Sequence, residues 1–174
     1  MGKDLRLDRR RRAAERRGAK PWRIALIVSQ FNEAITSSLV RGARQALLAH
    51  GVASHHITEL RVPGAFELPV AAATVASALR PDAMVALGCL IKGETPQYDA
   101  IGRVVAQGLT QVAVESKIPV TFGVIIADTA AQAKARAGGA SGNRGQEAAL
   151  AALELLDAFQ GLTPARAMAP EQDG

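Results

Sequence analysis

AMVALGCLI, residues 83–91, is an unbroken apolar run of strand length without a charged side chain. A strand buried on one face alternates polar and apolar residues. An unbroken run fits a strand covered on both faces, as in a parallel sheet between layers of helix. The rest of the chain repeats the theme. WRIALIVS (22–29) and VTFGVIIA (120–127) are runs of the same kind, and HITELRV (56–62) reads as a further strand. Helical spacing fills the intervals in NEAITSSLVRGARQALLAHG (32–51), which meets a glycine stop, in ELPVAAATVASALR (67–80), and in YDAIGRVVAQGLTQVAVESK (98–117), closed by Pro119. TAAQAKARAGG (129–139) reads as a short helix and RGQEAALAALELLDAFQ (144–160) as a long terminal one.

Strands alternating with helices imply right-handed crossovers and a sheet with helices on both sides. The expectation is therefore an α/β protein: a three-layer, flavodoxin-like, doubly wound sheet of four parallel strands. At 174 residues the chain suits one such domain. Aromatics make up only 3% of it, so alanine, valine and leucine must fill the core.

The net charge of +5 is unevenly placed. Residues 1–23 hold ten lysines and arginines against three acids, a net of +7, which leaves 11 basic and 13 acidic residues for the remainder. Residues 1–21 are expected to be a basic, disordered tail open to polyanion binding, residues 22–160 the folded domain, and residues 161–174 a flexible tail. The arginine-rich start lacks the apolar stretch of a secretory signal, and no run reaches the length of a membrane span. A cytoplasmic protein is the expectation. The single cysteine, Cys89, excludes an intrachain disulfide and reads as a buried thiol, and no Cys/His cluster has zinc spacing.

In open α/β sheets ligands bind outside the carboxyl ends of the strands. Four loops belong there: SQFNE (29–33), VPGAFE (62–67), KGETPQYD (92–99) and ADTA (127–130). Glycines, polar groups and the aromatics Phe31, Phe66 and Tyr98 gather in the first three. In GETPQYD, Gly93 permits close backbone approach, and Thr95 stands at a helix start where free amides and the dipole favour an anion such as phosphate. Ordinary N-capping by Thr95 accounts for the same spacing. Asn32 is placed to cap the first helix, and Glu67 opens the second, where a carboxylate is favoured anyway. Arg136 precedes a glycine-rich break and is either solvated or a fork for phosphate. His50 sits at a helix C-terminus, and His55 and His56 fall at the wrong end of the sheet for catalysis.

In order and spacing, SQFNEAITSSLVRGA, VPGAFELPVAA, GCLIKGETPQYD, FGVIIADTAAQAKARAG and GNRGQEAALAALEL resemble the 6,7-dimethyl-8-ribityllumazine synthase family, from Trp22 to Phe159. The resemblance implies a condensation of 5-amino-6-(D-ribitylamino)uracil with 3,4-dihydroxy-2-butanone 4-phosphate in riboflavin biosynthesis, without cofactor or metal. It implies that Phe31 stacks on the pyrimidine, that Ala65, Phe66 and Glu67 hold the ribityl chain, and that the backbone of Cys89, Leu90 and Ile91 reads the ring edge. Glu94 and Thr95 would offer amides to the phosphate and Arg136 its countercharge. Phe122 and Arg136 would come from a neighbouring subunit, because family sites lie between subunits of pentamers, which in some members build 60-subunit shells.

Lys92 and Arg144 replace a family arginine and lysine and keep the charge, whereas Glu94 replaces a small residue and adds a negative one. Gln97 stands where the family has its proton-transferring histidine. A glutamine amide donates and accepts hydrogen bonds but has no pKa for proton transfer. Two functions therefore stay open at this level: a synthase with an unusual site, and a low-activity paralogue that binds a flavin precursor or forms a shell.

Overall fold

A computed structural model of the protein describes residues 22–160 and Leu162. The tails expected at 1–21 and, Leu162 apart, at 161–174 lie outside the described residues. The apolar runs become β1 (Ile24–Ser29), β2 (Ile57–Val62), β3 (Ala83–Ile91) and β4 (Val120–Ala127), in one parallel sheet of order β2-β1-β3-β4. Register runs Ile24↔Ile57 to Ser29↔Val62, Ile24↔Ala83 to Val28↔Leu87, and Met84↔Val120 to Ile91↔Ala127.

Side chains alternate across this sheet and feed two separate cores. Leu26, Val28, Val85, Leu87 and Ile125 face α1 (Glu33–Ala49), α4 (Ala130–Arg136) and α5 (Arg144–Gln160). Ala25, Ile27, Met84, Ala86 and Val124 face α2 (Leu68–Ala78) and α3 (Gln97–Ser116). All six residues of β1 are buried, as a central strand requires.

β2 is different. It is an edge strand, half exposed, and its outward face carries an ion ladder in which Glu59 meets Arg44 and Arg61, and Arg61 also meets Glu33. Charges on an edge discourage pairing with a foreign strand.

The helix expected over 129–139 stops at Arg136. Its start is set by a capping box: the Gln132 amide donates to the Thr129 hydroxyl, and Gln132 Oε1 accepts from the Thr129 amide, each at 3.2 Å. Beyond Arg136, Ala137–Gly139 pairs antiparallel with Gly142–Asn143, a small hairpin in place of the last helical turn. Gly138 and Gly142 hold φ of 109° and 83°, which explains why this stretch leaves the helix.

The hairpin delivers Asn143 to the start of α5. Its Oδ1 accepts from the Gly145 and Gln146 amides, and its Nδ2 donates to the Ser38 carbonyl of α1 at 2.9 Å. Here α5 crosses α1 so closely that a Cβ on Gly145 would fall on the Leu39 carbonyl. Among the described residues, no helix is long and apolar enough to cross a membrane. Gly145→Ala is expected to destabilise the fold by about 1–3 kcal/mol, because backbone cannot yield as a side chain can. Exposed Gln146→Ala beside it should stay within about 0.5 kcal/mol. Thermal unfolding of the two variants checks the difference.

Candidate active site

The chain leaves β1 for β2 on one side and returns across β1 to β3 on the other. The loops after β1 and β3 consequently run to helices on opposite faces of the sheet and part from one another. Such a switch point opens a crevice at the carboxyl ends of the strands. It holds a cleft of about 320 Å³, within the range of small-molecule sites.

Each wall follows from local structure. Phe31 and Asn32 continue β1, which the Gln30 and Phe31 amides extend by bonding to the Val62 and Pro63 carbonyls at 2.8 and 3.1 Å. Phe31 is 69% exposed and Phe66 59%, so neither ring contributes to the core, and both offer a free apolar surface at the mouth. Gly64 and Ala65 add the wall after β2, and Cys89, Leu90 and Ile91 the end of β3. Gly93, Thr95, Gln97, Tyr98 and Ile101 complete the cleft from the loop and the first turns of α3.

Asn32 occupies the N-cap of α1, yet its side chain makes no cap. In the left-handed region, at φ 60° and ψ 46°, it instead donates from Nδ2 to the Cys89 carbonyl at 3.0 Å. One side chain thus ties the diverging ends of β1 and β3. The Cys89 thiol is buried, and burial pushes its pKa up to about 11. It is a neutral wall element and no nucleophile.

At α3, Pro96 takes the N-cap and no side chain caps the helix, so Thr95 does not serve the capping role its spacing allowed. The first amides of the helix are left for solvent or an anion. The Lys92 amide donates to the Ala127 carbonyl at 2.9 Å, and the Tyr98 hydroxyl donates to Asp128 Oδ1 at 3.1 Å. Partial desolvation and the Asp128 and Asp99 carboxylates raise the Tyr98 phenol above its ordinary value, so it is a donor at neutral pH.

Four expected site residues do not line the cleft. Glu67 turns back and accepts the Gly64 amide at 2.8 Å, and Glu94 stands exposed on the loop. Phe122 packs partly buried on the α2–α3 side. Arg136 donates to the Ser141 carbonyl at 3.0 Å and to Glu147 Oε2 at 3.1 Å, an oxygen shared with Arg144.

His50 caps the C-terminus of α1 through Nδ1 and the Ala46 carbonyl, as its place before Gly51 suggested. His55 and His56 lie at the far end of the sheet around a smaller cavity of about 150 Å³. No group of three or more His, Cys, Asp or Glu able to hold a metal occurs among the described residues. Gly64 belongs to the VPGAFE loop expected at the site, whereas Ile101 was not singled out from the sequence. Ile101 follows Gln97 by one helical turn, which was the available signal.

A model of the 6,7-dimethyl-8-ribityllumazine synthase family matches residues 21–160. Proteins of that name are similar over most of their length. The one from Gemmatimonas aurantiaca is 48% identical over 143 residues, 82% of this chain and 87% of that protein. Those of Chlorobium limicola and Aquifex aeolicus are each 44% identical, over 82% and 83% of this chain and 92% and 94% of their own. A four-stranded parallel sheet with its cleft at the switch point, and relatedness of this extent, lead to one conclusion: the chain belongs to the 6,7-dimethyl-8-ribityllumazine synthase family.

Proposed function

We propose that the protein condenses 5-amino-6-(D-ribitylamino)uracil with 3,4-dihydroxy-2-butanone 4-phosphate to 6,7-dimethyl-8-ribityllumazine, releasing phosphate and water, in the cytoplasmic formation of riboflavin. The observation that carries this reading is the cleft itself. A free aromatic face and the end of β3 form one side, and an uncapped helix start forms the other. Phe31 stacks on the pyrimidine, the backbone from Cys89 to Ile91 reads its edge, and Ala65, Phe66 and Glu67 hold the ribityl chain. Glu67 keeps one carboxylate oxygen for a hydroxyl while the other holds the Gly64 amide. The amides of Glu94 and Thr95 receive the phosphate.

The countercharge and the remaining wall come from a neighbouring copy, through its Arg136 and Phe122. Two features support this. Neither residue lines the cleft of its own chain, and Arg136 is held only by exposed contacts, a hydrogen bond to the Ser141 carbonyl and an ion pair of a kind worth about 0–1 kcal/mol. An incoming phosphate can draw it away. Exposed Val70, Val104 and Val114 on α2 and α3 provide apolar surface for such neighbours. A homopentamer follows, and a shell of sixty chains is the further assembly. The net +7 of residues 1–23 leaves the basic segment open to polyanion binding, which the condensation itself does not require.

With Gln97 at the mouth of α3, the reaction lacks a side chain there that exchanges protons near neutral pH. Rate comes from orientation of an aromatic amine against a reactive ketone, and from neutralisation of the phosphate. A second reading draws on the same glutamine: a paralogue that binds the pyrimidine or builds a shell with little turnover.

A steady-state assay with both substrates, corrected for the uncatalysed reaction, separates the two. Gln97→His is expected to raise turnover roughly tenfold or more, at the low end of general acid–base effects, and to leave pyrimidine affinity unchanged. Its rate acquires a pH dependence in the histidine range. A variant that binds both ligands and stays as slow as the parent favours the paralogue.

Arg136→Ala should weaken the butanone phosphate by roughly 10- to 150-fold and the pyrimidine little, the loss of a charge-assisted contact. Equal loss for both would mean structural damage. Solution mass by light scattering should be at least that of five chains. A mass near one chain contradicts shared sites, and a mass near five contradicts the shell alone.

A further inference from the structure

The residues of the anion loop, from Gly93 to Gln97, are all exposed, and the helix they open is uncapped. Such a loop needs something to hold its amides in place before an anion arrives. Two hydrogen bonds bracket it, and they reach two adjacent residues, the last of β4 and the one after it. On the entry side the Lys92 amide bonds to the Ala127 carbonyl at 2.9 Å. On the exit side the Tyr98 hydroxyl bonds to Asp128 Oδ1 at 3.1 Å.

The first bond is backbone and any residue would make it. The second depends on two side chains. Asp128 is itself held, because its amide donates to Gln132 Oε1 at 2.8 Å within the capping box of α4. The anchor is therefore the capped start of a helix. Asp99, the next residue of α3, pairs with Arg103 at 3.0 Å and is not a partner in this hydrogen bond.

We propose that the Tyr98–Asp128 hydrogen bond clasps the anion loop to the end of β4, which makes Tyr98 and Asp128 positioning residues for the phosphate ester. The inference rests on the reading of the cleft given above and deepens it. Tyr98 also lines the cleft, whereas Asp128 does not. A role shared by both residues is thereby separable from a simple change of the cleft wall. The clasp acts on the loop and leaves the pyrimidine side, built from β1 and β3, untouched.

The test uses the full chain with Tyr98→Phe, Asp128→Ala, their combination, and Asp128→Asn, which keeps an acceptor oxygen. Tyr98→Phe and Asp128→Ala should each raise the KM for the butanone phosphate by roughly three- to tenfold, the range of one lost hydrogen bond, with the KM for the pyrimidine and the melting temperature little changed. The combination should lose no more than the larger single effect, since both remove one interaction. Asp128→Asn should stay close to the parent. Hydrogen exchange supplies an independent readout: amides 93–97 should exchange faster in Tyr98→Phe and Asp128→Ala and not in Asp128→Asn.

Unchanged exchange, additive losses, or equal losses on both substrates overturn the clasp. If the parent binds neither substrate, the synthase reading fails instead. The exchange arm then decides the clasp alone, acceleration supporting it and no change overturning it.

Discussion

The parallel pairing of β1 with β3 is the constraint on which the remaining structure depends. It places two fully apolar segments side by side at the centre of the sheet, and every crossover then follows from covering their two faces. The ladder ends at Val28↔Leu87, because the loops beyond it leave for opposite layers. Separation leaves backbone groups near the ends of both strands in need of partners. The Asn32 amide meets one of them at the Cys89 carbonyl, and the left-handed backbone at Asn32 is what brings it there. The cleft is thus a consequence of the topology, lined by what the strand ends present.

Away from the cleft, the charges around the start of α5 are loosely paired. Arg136 and Arg144 share a single oxygen of Glu147, and all three side chains are about two-fifths exposed. Pairs of this kind contribute little to stability and are easily exchanged for a stronger partner. A phosphate dianion is such a partner, and a bidentate guanidinium suits it. The cleft side is built differently, from backbone amides and carbonyls that are held by the sheet. Under the proposed function, orientation comes from the scaffold and charge from Arg136 of a neighbouring copy, a division that suits a reaction with glutamine at residue 97.

Some expectations from the sequence coincide with the structure to the residue. AMVALGCLI, VTFGVIIA and RGQEAALAALELLDAFQ form β3, β4 and α5 with the boundaries read from them. In each case an apolar pattern of one period ends abruptly at proline, glycine or charge. The loops holding the cleft were legible for the same reason, since they fall between such segments at the carboxyl ends. Others needed contacts that no local pattern contains. The hairpin at 137–143 replaced helix where two glycines could take positive φ, and the pattern of TAAQAKARAGG does not distinguish the two outcomes. Asn32 looked like a cap and proved to be a cross-strand tie.

By itself, the sequence determined the order of strands and helices, their two-sided burial, the end of the sheet where a ligand site opens, and the family to which the motifs point. All but the last are properties of periodicity and of the residues that interrupt it, and periodicity is local; the family rests on the resemblance of the ordered motifs. Tertiary structure alone decided that β2 is an exposed edge, that Asn32 reaches Cys89 across 57 positions, and that Tyr98 reaches Asp128 across 30. It also decided that Glu67 turns back to the Gly64 amide and that Glu94 stands off the cleft. The first three depend on which distant segments the sheet order brings together, and a pairwise contact of that range leaves no trace in the spacing of either partner.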